Sequence, residues 1–247
     1  MFPMGLDQNS LQAELISAIR ASKDGTRAFF DHSLAWVAQV ESGWRVIRDE
    51  FERVSRALQL LPGLEEISKS QASLTTDRRW KVFPLFAYGV AIKKNQERCP
   101  ETNRIVRMIP GVRAAMFSIL QPGKEIPPHE GAYCGVLRYH LGVKVPEPET
   151  RCGISVGGQI AHWRNGQSLI FDDTHRHYAW NHSTEDRVIL LVDFARPLEK
   201  RLSMINEAVI NTMTRELVDG APERWDAWET RFGRRFDELI GAPGTSS

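Results

Sequence analysis

The chain has 247 residues, of which 42% are hydrophobic and 26% charged, with a formal net charge of +1. That length can bury a full core, and the composition excludes disordered, collagenous and coiled-coil classes. Near-neutral charge and the lack of a recognition motif argue against a nucleic-acid partner.

The first residues, MFPMGLDQNSLQAELISAIRASKDG, lack the basic start and continuous apolar run of a secretory signal. No stretch approaches the roughly 18 apolar residues that span a bilayer, so a cytoplasmic protein with no transmembrane segment is expected. Leu11, Leu15, Ile16 and Ile19 recur at helical spacing. Trp44, Ile47, Phe51, Val54 and Leu58 form a second stripe over WRVIRDEFERVSRALQLLPG, which stops at Pro62-Gly63. Between Arg78 and Arg107, eight Lys/Arg stand against Glu97 and Glu101. The excess is either a solvated basic face or a field that draws an anionic substrate. From about Ala114, the runs AAMFSIL, VLRYHLGV, CGISVGG, SLIFDD and RVILLVDF alternate with the breaks QPGKEIPP, VPEPETR, RNGQ and NHSTED. Short strands without crossover helices predict an antiparallel sandwich or barrel. After Pro197 the pattern returns to helix, and a segment opening at Pro222 carries Trp225, Trp228, Phe232 and Phe236 on one side. That side is read as core packing, with a homodimer face as the alternative. Cys99, Cys134 and Cys152 form no CxxC pair; reduced thiols are expected, Cys134 and Cys152 packing as small apolar groups. With no repeat and no linker, a single domain over 1–247 is the simplest account: a helical flank over 1–75, a β core over 76–198 and a helical segment over 199–247.

Six of the seven histidines fall between His129 and His182. His129 follows a turn-rich stretch and His177 follows the strand SLIFDD, so the two could meet at a barrel mouth; spacing alone equally suits two hydrogen-bonded structural histidines. Arg187 opens the apolar strand RVILLVDF, where it either sits at an exposed end or meets an anion inside. Arg138 and His140 share one face of an apolar strand, and an enclosed anion would explain both. His162, His175 and His182 sit in turn-like contexts and are expected to be solvated or hydrogen-bonded. His175, two residues from His177, is the exception that could line the entrance or orient a ligand.

The stretches HEGAYCGVLRYHLGVKVP and RCGISVGGQIAHWRNGQSLIFDDTHRHYAWNHSTEDRVILLVDFARP resemble the aspartyl/asparaginyl β-hydroxylase family, whose bacterial branch includes lipid A acyl-chain hydroxylases. The likeness is dense from Ser118 to Pro197, with WKVFPLFAYG and CPET upstream. It implies a mainly β protein with helical flanks whose 76–198 core is a double-stranded β-helix (a cupin-like jelly roll) holding Fe(II) and 2-oxoglutarate. On matching positions, His129 and His177 would ligate iron. Ser118 and Arg187 would hold the distal carboxylate of 2-oxoglutarate, and Arg138 and His140 the end that chelates the metal. Trp163, Gly166, Phe171, Asp172 and Asp173 match as scaffold, with Asn165-Gly166 as a hairpin turn and the Asp pair as the connection that positions His177.

Most enzymes of this chemistry complete a facial triad with a carboxylate at the position of Gly131, which has no side chain here. Glu130 should point to the opposite face. Water could fill the gap, and so could a halide, which would make the chain a halogenase. The animal branch carries a substrate-binding arginine two residues before the Arg138 position, where this chain has Val136, so an Asp- or Asn-containing protein domain is not the expected substrate. Trp80, Glu130, Gly131, Val136 and His175 are candidate substrate-pocket residues. The resemblance implies an O2-using dioxygenase that hydroxylates an unactivated C–H bond of an anionic small molecule, a lipid, an amino-acid derivative or a carrier-bound group. The alternative is a non-catalytic cupin-like metal-binding protein, which would have no reason to keep Ser118, Arg138, His140 and Arg187 together.

Overall fold

The computed structural model describes residues 8–31, 33–69, 71–218 and 220–241. Helix α1 (Gln8–Ala21) buries Leu15 and Ile19, as their spacing predicts. After the short strand β1 (Phe29–Phe30), α2 (Ala35–Ser42) and α3 (Trp44–Ser55) follow head to tail around Gly43. α3 buries Ile47, Phe51 and Val54, one stripe at helical period. The helical pattern seen through Leu61 is interrupted: α3 ends at Ser55, and a 3-10 turn at Leu58–Leu60 leads into Pro62.

The remaining elements in chain order are α4 (Leu64–Ile67), β2 (Trp80–Ala87), β3 (Val90–Ala91), α5 (Lys93–Arg98), α6 (Pro100–Val106), β4 (Val112–Leu120), β5 (Glu125–His129), β6 (Val136–Lys144), β7 (Cys152–Val156), β8 (Gln159–His162), β9 (Ser168–Phe171), β10 (His177–Asn181), β11 (Arg187–Ala195), α7 (Lys200–Val218) and α8 (Ala221–Ile240). A seven-stranded sheet has the order β1-β9-β6-β11-β4-β2-β3 and a four-stranded sheet the order β5-β10-β7-β8. The paired strands are antiparallel. From β4 to β11 the chain passes back and forth between the sheets, which is the winding of a jelly roll. The fold is therefore mainly β with helical flanks, as expected.

Two local readings are corrected by the sheets. β5 runs through Pro127-Pro128, inside the stretch read as a break; it is an edge strand, where a missing N–H costs no ladder bond. Asn165-Gly166 is not a hairpin turn, because it carries the chain from β8 in one sheet to β9 in the other. The Asn165 side chain there bonds both the N–H and the C=O of Val145, standing in for a neighbouring strand. The hairpin turn lies at Gly157-Gly158, whose φ values of 55° and 79° favour glycine.

The aromatic side of α8 packs into this chain's own core. Trp225 meets Phe83 edge-on at 6.0 Å, and Phe236 stacks on Phe83 at 5.8 Å. Burial of that side removes it as a homodimer face. The basic stretch divides: Lys81 and Arg98 are buried, Arg79 is half-buried, and Arg78, Lys93, Lys94, Arg104 and Arg107 are exposed. Arg98 is 6% exposed and bonds Glu229 and Asp237, Lys81 is buried on the Leu61 carbonyl, and Arg78 and Arg104 pair with Glu66 and Glu101. A charge neutralised by a carboxylate contributes little field, so Arg78, Lys94, Arg98 and Arg104 do little steering, while Lys93 and Arg107 remain on an exposed basic face. Among the described residues, no helix is long and apolar enough to cross a membrane.

Candidate active site

His129 ends β5 and His177 opens β10, and the two are direct cross-strand partners. Their ring centroids lie 4.0 Å apart. Each ring is fixed in the same way, its Nδ1 contacting the carbonyl two residues earlier: Pro127 O at 2.8 Å and His175 O at 2.9 Å. With Nδ1–H donating there, Nε2 keeps the free lone pair that a metal takes. Burial lowers both pKa values, that of His177 to about 4, with the neighbouring ring adding to the effect. Two neutral imidazoles side by side are a ready metal-binding pair. Among the described residues, no third His, Cys, Asp or Glu joins them in a metal-binding cluster.

The inner face of the larger sheet supplies the rest. Alternate β11 residues Arg187, Ile189 and Leu191 line one cavity with Ser118 of β4 and Arg138 and His140 of β6. His129 and His177 line the same cavity, so all six residues proposed for iron and co-substrate converge. Arg187 is 1% exposed, and burial lowers its pKa to about 10. Its guanidinium lies 4.6 Å over the Trp163 ring, and its Nε has no hydrogen-bond partner. His140 is held between Trp163 and Phe171, with both ring nitrogens unpartnered. Burial, then the Arg138 and Arg187 charges, hold it neutral. Trp80 donates its indole N–H to Ser118 Oγ at 2.9 Å, leaving the Ser118 hydroxyl proton free to donate in turn. A buried cation beside unpartnered donors fits a carboxylate ligand. In charge and donor set, these residues suit a dicarboxylate such as 2-oxoglutarate.

At the mouth, the Gly131 N–H donates to the Asp173 carbonyl at 2.7 Å. The Asp173 carboxylate pairs with Arg138 Nε at 2.7 Å, and Asp193 stands on the other side at 3.5 Å. A Cβ on Gly131 would lie 2.3 Å from Asp173 Cγ, so the space of a facial-triad side chain is already filled by a carboxylate from the β9–β10 loop. Asp172 anchors that loop, accepting from Thr174 and pairing with the buried Arg196. Glu130 is exposed on the rim, with Val136 in the same polar cavity. The His175 ring instead lies against Gly157, and His175 serves the site through its carbonyl. His162 and His182 have partners in Cys152 O and Glu125. Sequence reasoning missed Asp193 and Tyr88. Asp193 shares the parity of Arg187 along β11 and was findable from it, whereas Tyr88 reaches Asp193 from the β2–β3 turn at 3.1 Å and left no signal beyond Tyr-Gly.

The profile of the aspartyl/asparaginyl β-hydroxylase family matches residues 41–197. An ornithine lipid ester-linked acyl 2-hydroxylase from Rhizobium tropici is 39% identical over 227 residues, covering 91% of this chain and 81% of that protein. Human aspartyl/asparaginyl beta-hydroxylase is 29% identical over 176 residues, covering 65% of this chain but only 21% of its own length. Among solved structures, the cupin domain of an XRE-family transcriptional regulator from Enterobacter cloacae overlaps 48% of this chain and 99% of its own at 14% identity and a TM-score of 0.34. With a profile match over more than half its length, the chain belongs to the aspartyl/asparaginyl β-hydroxylase family.

Proposed function

We propose that this chain is an Fe(II)- and 2-oxoglutarate-dependent hydroxylase acting at a membrane surface on an acyl chain of a lipid with an amino-acid headgroup. The observation that carries the cofactor reading is Arg187, a buried guanidinium with an unpartnered Nε, facing the same cavity as two neutral histidines. The lipid reading is supported by the 39% identity along 91% of the chain to a protein named for acyl 2-hydroxylation of ornithine lipid.

When bound, iron and 2-oxoglutarate supply the oxidation: R–H, O2 and 2-oxoglutarate give R–OH, succinate and CO2, with one oxygen atom in the alcohol and the other in succinate. Two electrons come from the C–H bond and two from the decarboxylation. The chain's residues position and shield. His129 and His177 would hold the metal through Nε2. Arg187 and Ser118 would grip the distal carboxylate, with Trp80 orienting the Ser118 hydroxyl. Arg138 and His140 would meet the chelating end. The apolar walls Ile126, Ile154 and Phe171 keep bulk water from the pocket. Asp173 beside Gly131 counts against a halogenase, because a halide in that gap would face a carboxylate. The unpartnered polar atoms count against a non-catalytic barrel, which would have no ligand to satisfy them.

Anaerobic addition of Fe(II) and 2-oxoglutarate should produce a weak visible charge-transfer band that vanishes in His177→Ala and Arg187→Ala. With O2 and an ornithine-headgroup lipid, succinate should form in step with a product one oxygen heavier. Absence of both band and succinate overturns the cofactor reading. A band without oxidation of any lipid overturns the substrate reading.

A further inference from the structure

Beyond Arg138, the inner face of the larger sheet continues into a second, apolar cavity of about 150 Å3. Its wall is the inward parity of β2 and β4: Val82, Pro84 and Phe86, with Ala114 and Met116 opposite. Its roof is Leu64 and Ile67 of α4, and its far end is the α7–α8 junction at Ala221, Pro222 and Trp225. Among the described residues, the charged ones lining it are Arg138 and Asp193, which stand together at one end.

That end is shared. Tyr88, Arg138 and Asp193 also line the polar mouth, a cavity of about 390 Å3 that holds His129, Glu130 and Asp173. Trp80, Arg138 and Leu191 line both the apolar cavity and the proposed co-substrate pocket. A ligand spanning the three spaces would have its polar part among charges, its apolar part among Val, Phe and Met, and the junction beside the histidine pair. Tyr88 marks the boundary: it lines both cavities, donates its hydroxyl to Asp193, and holds a φ of 43°, a strained value for a non-glycine residue. An apolar cavity forgoes packing contacts, and one that opens on a candidate reaction centre is suited to an apolar ligand.

We propose that this cavity is the acyl slot of the enzyme. The substrate's hydrocarbon chain lies between the β2–β4 face and α4, its headgroup stays in the polar mouth, and the chain length accepted is set at the far end by Ala221, while Ala114, the cross-strand partner of Asp193, flanks the entrance. The C–H bond presented for oxidation is then one near the polar end of the chain, because His129 belongs to the mouth and the co-substrate pocket and not to the slot. The assignment rests on the lipid reading above.

The test is a chain-length profile. Ornithine-headgroup lipids with a graded series of acyl lengths are assayed by mass spectrometry for an added oxygen in the wild type, Ala114→Leu and Ala221→Leu. A methylene that no longer fits costs ~10-fold or more in turnover, so Ala221→Leu should shift the optimum to shorter chains and lose at least that factor on the longest, whereas Ala114→Leu, at the entrance beside Asp193, should lower turnover at every length. The anaerobic Fe(II)/2-oxoglutarate band should be unchanged. Ala221 is half-buried at a helix start and tolerates enlargement better than the buried Ala114, so it carries the test if Ala114→Leu folds poorly. A fatty acid brominated along its chain provides a second measurement: it should quench tryptophan emission, and Trp225→Phe should reduce the quench. If the wild type oxidises lipids but neither variant alters the profile and Trp225→Phe does not alter the quench, the slot assignment is overturned and the function stands. If the band forms and no lipid is oxidised, the lipid reading and the slot fall together, and the cofactor reading stands.

Discussion

Gly131 and Asp173 exclude one another's side chains: a Cβ on the glycine would sit 2.3 Å from the aspartate's Cγ and Oδ1. A carboxylate introduced at the facial-triad position therefore has nowhere to go. Gly131→Asp is expected to destabilise the fold by about 1–3 kcal/mol through overpacking and to weaken iron binding. Iron titration alongside thermal melting checks this; tighter iron binding with an unchanged melting temperature would show that the space is free.

Arg187 is a buried cation whose Nε has no partner. Arg187→Met keeps the volume and removes the charge, so the ligand-free protein should gain about 1 kcal/mol or more. The same variant should lose the thermal stabilisation that saturating 2-oxoglutarate gives the wild type. Melting curves with and without the co-substrate read both effects, and a drop in ligand-free stability would contradict the account.

On the proposed reading, Trp80 would act on 2-oxoglutarate through Ser118. Trp80→Phe removes the 2.9 Å hydrogen bond and keeps the ring. A loss of about 1 kcal/mol should raise the KM for 2-oxoglutarate roughly 5-fold, with little change in iron affinity. Ser118→Ala should match it, and the double variant should be no worse than the poorer single one.

Arg98 lies far from the chemistry in function but near the centre of the helical flank. It forks onto Glu229 at 2.7 and 2.8 Å and reaches Asp237 at 2.7 Å. Arg98→Ala strands Asp237 and leaves Glu229 with Lys94 alone, and should cost on the order of 3 kcal/mol. For a chain of this size the melting temperature should fall by roughly 6–12 °C, with the KM values of the remaining folded enzyme unchanged.

What the sequence made legible was whatever depends on parity and local pattern. The alternation in LRYHLG put Arg138 and His140 on one face, the apolar run after Arg187 marked it as a charge needing a partner, and the helical stripes found α3 and α8. What escaped depends on which strands become neighbours. Nothing local to Pro127-Pro128 says that β5 will be an edge strand able to tolerate them. Asp173 looks like a simple loop residue until the β9–β10 connection folds over Gly131. The apolar cavity is assembled from widely separated segments, among them α4, β2, β4, β6, β11 and the α7–α8 junction, none of which is unusual alone.

β5 has one neighbour, β10, and contains two residues that cannot donate a ladder bond. Its last residue is His129, directly opposite His177. A metal shared by that pair would act as a rivet, pinning an edge strand of the smaller sheet to the strand beside it. Chelation should therefore be felt first as faster amide exchange along Glu125–His129, well before the larger sheet loosens, and restoring the metal should reverse it. The site would then hold its own wall in place, with iron occupancy and the order of the entrance rising and falling together.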